Sequence, residues 1–270
     1  MKAEGQSSSE PLHVGIDLGT SQSAISSSGG GQFVVDSFVG WPADLVARKV
    51  LKRDLLIGRE ALDNRTMVDL RRPLERGLLK EGSDRDLQAA RELMRHLLSL
   101  VGEKHGHDRP IRAVVGVPAA AMRTNKQYLR SALKGVVDSL MIVSEPFAVA
   151  YGLNALLHTL IIDIGAGTTD FCVMKGRYPT EDDQRSLTVA GDSIDAHLQH
   201  GIQTRYPNAR FTVFMVREWK EKHSFVGEPP EQVIVTAPVD GDTSTRCLRE
   251  TSAEGPSPDP AVSTRGRSPA

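Results

Sequence analysis

Cysteine is nearly missing from this sequence: Cys172 and Cys247 are the two thiols in 270 residues. Such a pair makes neither a disulfide framework nor a metal-ligand cluster. Cys172 lies in a strand-like run and reads as a small buried hydrophobe. Net charge is also close to absent, at -1 with an isoelectric point near 6.7. There is therefore no general electrostatic drive toward nucleic acid or acidic lipid, and none is expected as a partner. Arg71 and Arg72 read as a solvated face. No apolar run reaches the length of a membrane span, and no basic start precedes an apolar segment, so neither a direct span nor a secretory signal is expected. The default location is the cytoplasm. Two nucleotide signatures are missing as well: the lysine-bearing GxxxxGK[ST] loop and GxGxxG after a first strand.

What remains is 39% hydrophobic and 25% charged, the balance of a soluble globular protein, long enough for one large domain or two linked lobes. Residues 1–10 read as a disordered polar arm. HVGID begins a short strand that stops at Gly19, residues 22–28 return as a second, and FVVDSFV makes a third, a three-stranded meander. WPADLVARKVLKRDLLIG suggests a short helix and strand in an insertion over about 40–80. Residues 84–101 are the clearest helix, with Ser83 as cap, Asp86 three residues on, and Leu87, Ala90, Met94, Leu97 and Val101 on one face. GEKHGHDRP then breaks it; His96, His105 and His107 lack the carboxylates or thiols that would complete a metal site. Strands at 112–118 and 141–144 flank a helix at about 123–136, and Glu145-Pro146 opens another helix. A strand at 160–164, TDFCVMKG, SLTVAG and a helix over 193–205 repeat the order of the first half. Mixed strands and helices in this order favour an α/β fold.

Two short stretches carry the chemistry. HVGIDLGTSQSA at 13–24 and LIIDIGAGTTDF at 160–171 share an apolar strand, an aspartate, a glycine turn and hydroxyls. Glycine lets main-chain N–H groups approach phosphate oxygens without a Cβ in the way, and Thr20, Ser21, Thr168 and Thr169 can add hydroxyl contacts. Asp17 and Asp163 would repel bare phosphates, which calls for a divalent cation such as Mg²⁺, held directly or through water. One DxG turn is usually only a turn; two, facing each other, would grip a nucleotide tail from both sides.

These stretches resemble the two phosphate motifs of the actin, sugar kinase and heat-shock chaperone superfamily. VVGVP at 114–118, IVSEPFAVAYG at 142–152, RRPLERGLL at 71–79 and AGDSIDAHL at 190–198 resemble landmarks of bacterial actins. VGWPADLVARKVL, the SDRDLQAAR helix and KHSFVG at 222–227 resemble the MamK-like bacterial actins of magnetosome filaments. The resemblance implies an actin-like two-lobed ATPase fold binding ATP and Mg²⁺. Asp17 and Asp163 would stand near the metal, and Gly19, Thr20, Ser21, Gly165, Gly167, Thr168, Thr169, Gly191 and Asp192 would line the nucleotide. Glu145 would orient the attacking water, with a helix-capping carboxylate as the local alternative; Asp195 could assist or equally be an exposed helical residue. The lobes would cover 11–157 and 158–238, followed by a disordered polar tail at 239–270.

The family's glycine-rich adenosine motif does not appear, and Arg217 stands where a glutamate usually precedes the family lysine, if that lysine is Lys220. The expectation is a second lobe left incomplete by C-terminal truncation, with hydrolysis and polymerisation impaired. The implied partners are other copies of the chain, a full-length actin-like filament protein and magnetosome-associated proteins. Two other classes stay open: a non-enzymatic modulator of a full-length filament, and a small-molecule kinase using the same grip.

Overall fold

The computed structural model describes residues 10–80, 83–105, 109–119, 126–227, 233–239 and 242–250. The chain packs as two compact units, Met1–Gly191 and Asp192–Ala270; the lobe boundary expected after residue 157 falls inside the first.

The first unit is built on an amphipathic strand. In β1 (Leu12–Leu18), Leu12, Val14, Ile16 and Leu18 are buried while the alternate residues His13, Gly15 and Asp17 are exposed, the period-2 pattern of a sheet with one core face. β2 (Gln22–Ser27) and β3 (Gln32–Asp36) return antiparallel, as the meander reading expects. A smaller set follows in the 40–80 region: β4 (Val39–Pro42), helix α1 (Leu45–Leu51), β5 (Leu56–Ile57), helix α2 (Arg59–Asp63) and β6 (Val68–Arg71), with β5 and β6 flanking β4. The hairpin β7 (Leu74–Glu75) and β8 (Leu78–Leu79) precedes α3 (Asp84–His105).

α3 starts where the sequence signals it. The Asp86 N–H donates to Ser83 Oγ at 3.2 Å and the Ser83 hydroxyl returns to the Asp86 carboxylate at 2.9 Å, supplying a partner to one of the unpaired N–H groups of a helix start. Its inner face, Ala89, Ala90, Leu93, Met94, Leu97 and Val101, is buried in the main core with β1 and β2. The helix runs to His105, past the expected 101, and His107 lies outside the described residues. α3 serves as the crossover that a parallel neighbour requires. β9 (Ile111–Val117) lies parallel to β1, and β10 (Ser139–Ser144) lies parallel to β9 after α4 (Lys126–Leu133). The five-stranded order is β10-β9-β1-β2-β3.

α5 (Glu145–Gly152) leads into a second sheet, ordered β11-β12-β13: β11 (Leu157–Ile164), β12 (Thr169–Lys175) and β13 (Gln184–Leu187). Its inner face is small: Ala150 of α5, Ile161, Cys172 and Met174, with Phe147 and Leu156 against them. Cys172 is fully buried.

The second unit comprises most of α6 (Gly191–Arg205), α7 (Val213–His223) and the hairpin β14 (Val233–Val239) and β15 (Asp242–Glu250). Ala209 and Ala237 form its core with Ile202, Tyr206, Phe211, Trp219 and Val235. Thr212 caps α7, its side chain accepting the Met215 N–H at 3.3 Å. β15 lies within the polar tail expected at 239–270. It pairs antiparallel with β14, Val233 standing opposite Glu250. Ladder bonds come from the backbone, so a polar segment can join once an apolar strand such as VIVTAPV offers an edge. The remainder of that tail and the arm at 1–9 lie outside the described residues.

Candidate functional site

The first turn sits at the C-terminal end of β1, beside the parallel strand β9, the end of an α/β sheet where ligands bind. Asp17 stands opposite Gly116 of β9 and Ala24 of β2. Gly19 is required sterically: a Cβ there would lie 2.2 Å from the Gln22 carbonyl oxygen. Ser37 pins the turn, its hydroxyl donating to Gly19 O at 2.7 Å and its N–H to Ser21 O at 2.8 Å. Thr20 is buried and tied to the 71–79 stretch: Arg72 Nε donates to its carbonyl at 2.7 Å, and the Gly77 N–H donates to its hydroxyl oxygen at 2.9 Å.

The second turn closes when the Gly165 N–H donates to Thr168 O at 2.8 Å, while Gly191 N–H donates to Gly165 O at 3.1 Å. Thr168 and Thr169 are buried, and the Thr169 hydroxyl donates to Val189 O at 2.7 Å. Gly167 brings the two turns together. A Cβ on it would lie 2.5 Å from Thr20 Oγ1, 2.8 Å from Arg76 Cα and 3.0 Å from Gly77 N. Only a glycine admits that approach. Residues far apart in sequence thus meet within the first unit.

Carboxylates crowd this end of the strands. Asp163 of β11 stands directly opposite Asp170 of β12. Asp170 is buried; it accepts the Ala119 N–H at 3.0 Å and the Ser186 hydroxyl, which ties the exit of β9 to the second sheet. Glu145 opens α5, and its Cγ lies 3.3 Å from where a Cβ on Gly116 would be. It is only partly exposed. Burial first, then the charges of Asp17, Asp170 and Asp163, push its carboxyl up to about 9. Asp17 keeps solvent access, yet the surrounding protein and then Asp163 raise it. Asp163 is raised by burial and then by Asp170. Among the described residues, burial and neighbouring carboxylates push three acids toward the neutral form beside a fourth, a site that would gain from positive charge.

A divalent cation would supply that charge. Among the described residues no three acidic, histidine or cysteine side chains close into an all-protein metal site, and Mg²⁺ does not need one: it keeps several waters and is held by one or two carboxylates plus substrate phosphates. Asp17 and Asp163 would hold it.

Asp192 and Asp195 belong to the second unit. Asp192 accepts from Arg217 Nη2 at 2.8 Å. Asp195 is buried, accepts from Arg217 Nε at 3.0 Å and pairs with Lys220 at 2.6 Å. Arg217 anchors α7 to α6 through both carboxylates. Asp170 is the group that sequence reasoning passed over. It lies inside the GTTDF stretch, and its period-2 position opposite Asp163 could have drawn attention to it. Its bond to Ala119, however, joins segments that no local pattern connects.

The MreB/Mbl protein family model matches residues 11–214. Actin-like protein MamK of Paramagnetospirillum magneticum is 44% identical over 230 residues, which are 85% of this chain and 65% of that protein. The chain thus spans about two thirds of the length of that curated relative. Among solved structures, the MamK double helical filament superposes with a TM-score of 0.82 at 41% identity, covering 89% of this chain and 72% of that one. MreB5 of Spiroplasma citri bound to ADP superposes at 0.72 with 20% identity, covering 89% and 71%, and shares the fold. The architecture is the actin-like one, and the chain belongs to the MreB/Mbl family as a MamK-like bacterial actin.

Proposed function

We propose that the chain binds ATP with Mg²⁺ between the turns at Gly19–Ser21 and Gly165–Thr169, hydrolyses it with Glu145 as general base, and takes part in magnetosome organisation as a filament protein of the cytoplasm. The observation that carries this reading is the close approach of Gly167 to Thr20 and Gly77, beside Asp17, Glu145, Asp163 and Asp170, whose mutual repulsion helps raise Glu145. Backbone N–H groups at glycine turns favour phosphate oxygens. When bound, Mg²⁺ supplies positive charge between Asp17, Asp163 and the phosphates. With that charge present, the part of the Glu145 shift that comes from the neighbouring carboxylates, second to burial as its cause, is offset. The Glu145 carboxylate then accepts a proton from water directed at the γ-phosphate.

One relative of known structure is a MamK double helical filament, and another is a non-polymerising MamK mutant bound to AMPPNP. They support self-association, or co-assembly with a full-length MamK-type filament, as the cellular role. Thermal unfolding with Mg²⁺–ATP tests the binding step, because a ligand that favours the folded state raises the midpoint. Asp17→Asn and Asp163→Asn should each remove the rise. No shift at millimolar ATP sinks the ATPase reading. Sedimentation with a full-length MamK filament then separates the outcomes: nucleotide-dependent pelleting supports the proposal, and pelleting that survives both Asn variants assigns a non-enzymatic filament modulator instead.

A further inference from the structure

Helix α1 turns an apolar face outward. Asp44 caps it, accepting the Ala47 N–H at 2.7 Å, and Ala47 is buried with Leu51, four residues on, half-buried. On the other side Leu45 is 76% exposed, Val46 69% and Val50 61%. Val46 and Val50 are one turn apart, as are Leu45 and Lys49, so the four share one face. Single exposed aliphatics are ordinary; three on one face of a two-turn helix form a contiguous patch. Basic groups surround it. Arg48 pairs with Asp54 at 2.6 Å and Arg53 with Glu60 at 2.7 Å, which cancels both charges. Lys49 and Lys52 are exposed and make no ion pair among the described residues. Lys52 ends the helix in the left-handed conformation, at a φ of 52°, where glycine is commonest. The helix dipole favours cations at this end, but it does not account for three exposed aliphatic side chains.

We propose that the outward face of α1 docks on an anionic lipid surface. With a net charge of -1 the chain as a whole is indifferent to such a surface, and the attraction is local to this patch. Leu45, Val46 and Val50 enter the boundary between headgroups and acyl chains. Lys49 and Lys52 extend to the lipid phosphates, their stems lying along the apolar strip. A protein partner fits less well. Interface centres are poor in lysine and rich in aromatic residues, whereas this strip sets a lysine among aliphatics. No helix among the described residues is long and apolar enough to cross a membrane, so the contact is a peripheral one.

Vesicle flotation without nucleotide tests this, because flotation separates lipid-bound protein from any filament that pellets by itself. The protein should float with vesicles of phosphatidylcholine and phosphatidylglycerol in equal parts, and come off as salt screens the attraction. Val46→Ser combined with Val50→Ser should weaken partitioning by at least about tenfold. Lys49→Gln combined with Lys52→Gln should weaken it by about fivefold per lysine. All four side chains are exposed, so the thermal midpoint of each variant should stay close to that of wild type. Failure to float with the anionic vesicles overturns the proposal, as does equal flotation with phosphatidylcholine alone or binding that survives both double variants. Variants that keep vesicle binding but lose co-sedimentation with a full-length MamK filament assign the strip to a protein contact instead.

Discussion

Replacing Glu145 by glutamine should make the nucleotide-free protein more stable, and the gain should depend on pH in a defined direction. The wild-type carboxyl is pushed from an ordinary value of 4.5 up to about 9 by burial and by Asp17, Asp170 and Asp163. A folded-state value above the unfolded one means that folding favours the protonated form. The penalty is absent below pH about 4.5, grows as pH rises, and levels off above about 9. It accumulates at about 1.4 kcal/mol per pH unit, which reaches about 3 kcal/mol at pH 7. Glu145 is partly exposed, and solvent screening trims the figure to about 2 kcal/mol. Glutamine keeps the shape and a donor but carries no proton equilibrium. For a unit of this size the gain corresponds to a rise of about 4–8 °C in the unfolding midpoint. Calorimetry or circular dichroism melts of both proteins at pH 5, 7 and 9 provide the check, with the gap smallest at pH 5 and widest at pH 9. A gap that does not change with pH, or a glutamine variant less stable at pH 7, refutes the claim that Glu145 sits in electrostatic conflict with its three acidic neighbours.

Three further perturbations follow from the same geometry. Gly167→Ala places a Cβ 2.5 Å from Thr20 Oγ1 and 2.8 Å from Arg76 Cα; overpacking of this kind costs about 1–3 kcal/mol, and both the melting midpoint and the shift induced by Mg²⁺–ATP should fall. Asp183 is held well below the usual carboxylate range, first by Lys175, then by the Thr180 backbone and hydroxyl. Its stabilising contribution is present above the unfolded value near 3.8 and is lost as pH falls through the lower folded value. Asp183→Asn should therefore lower stability at pH 7, and the difference from wild type should narrow in acid titrations monitored by circular dichroism. Leu97→Ala, on the fully buried face of α3, should cost about 2–5 kcal/mol in chemical denaturation, with no pH dependence.

Elements whose causes are local can be read from the chain alone. The apolar period of 84–101 and the Ser83–Asp86 cap specify α3, since side chains three and four apart share a helix face. Alternation in LHVGIDL specifies β1, and aspartate followed by a glycine turn marks both phosphate-type turns. Within the polar tail, pairing of 242–250 with β14 is a matter of backbone register that no local side-chain pattern announces. What lies beside what is a matter of packing. Gly167 meets Thr20 and Gly77, and Asp170 meets Ala119, only because parallel crossovers bring distant segments to one end of the strands. The raised proton affinity of Glu145 arises in the same way. Burial and neighbouring charge depend on the whole surroundings of a group, and no stretch of sequence contains them.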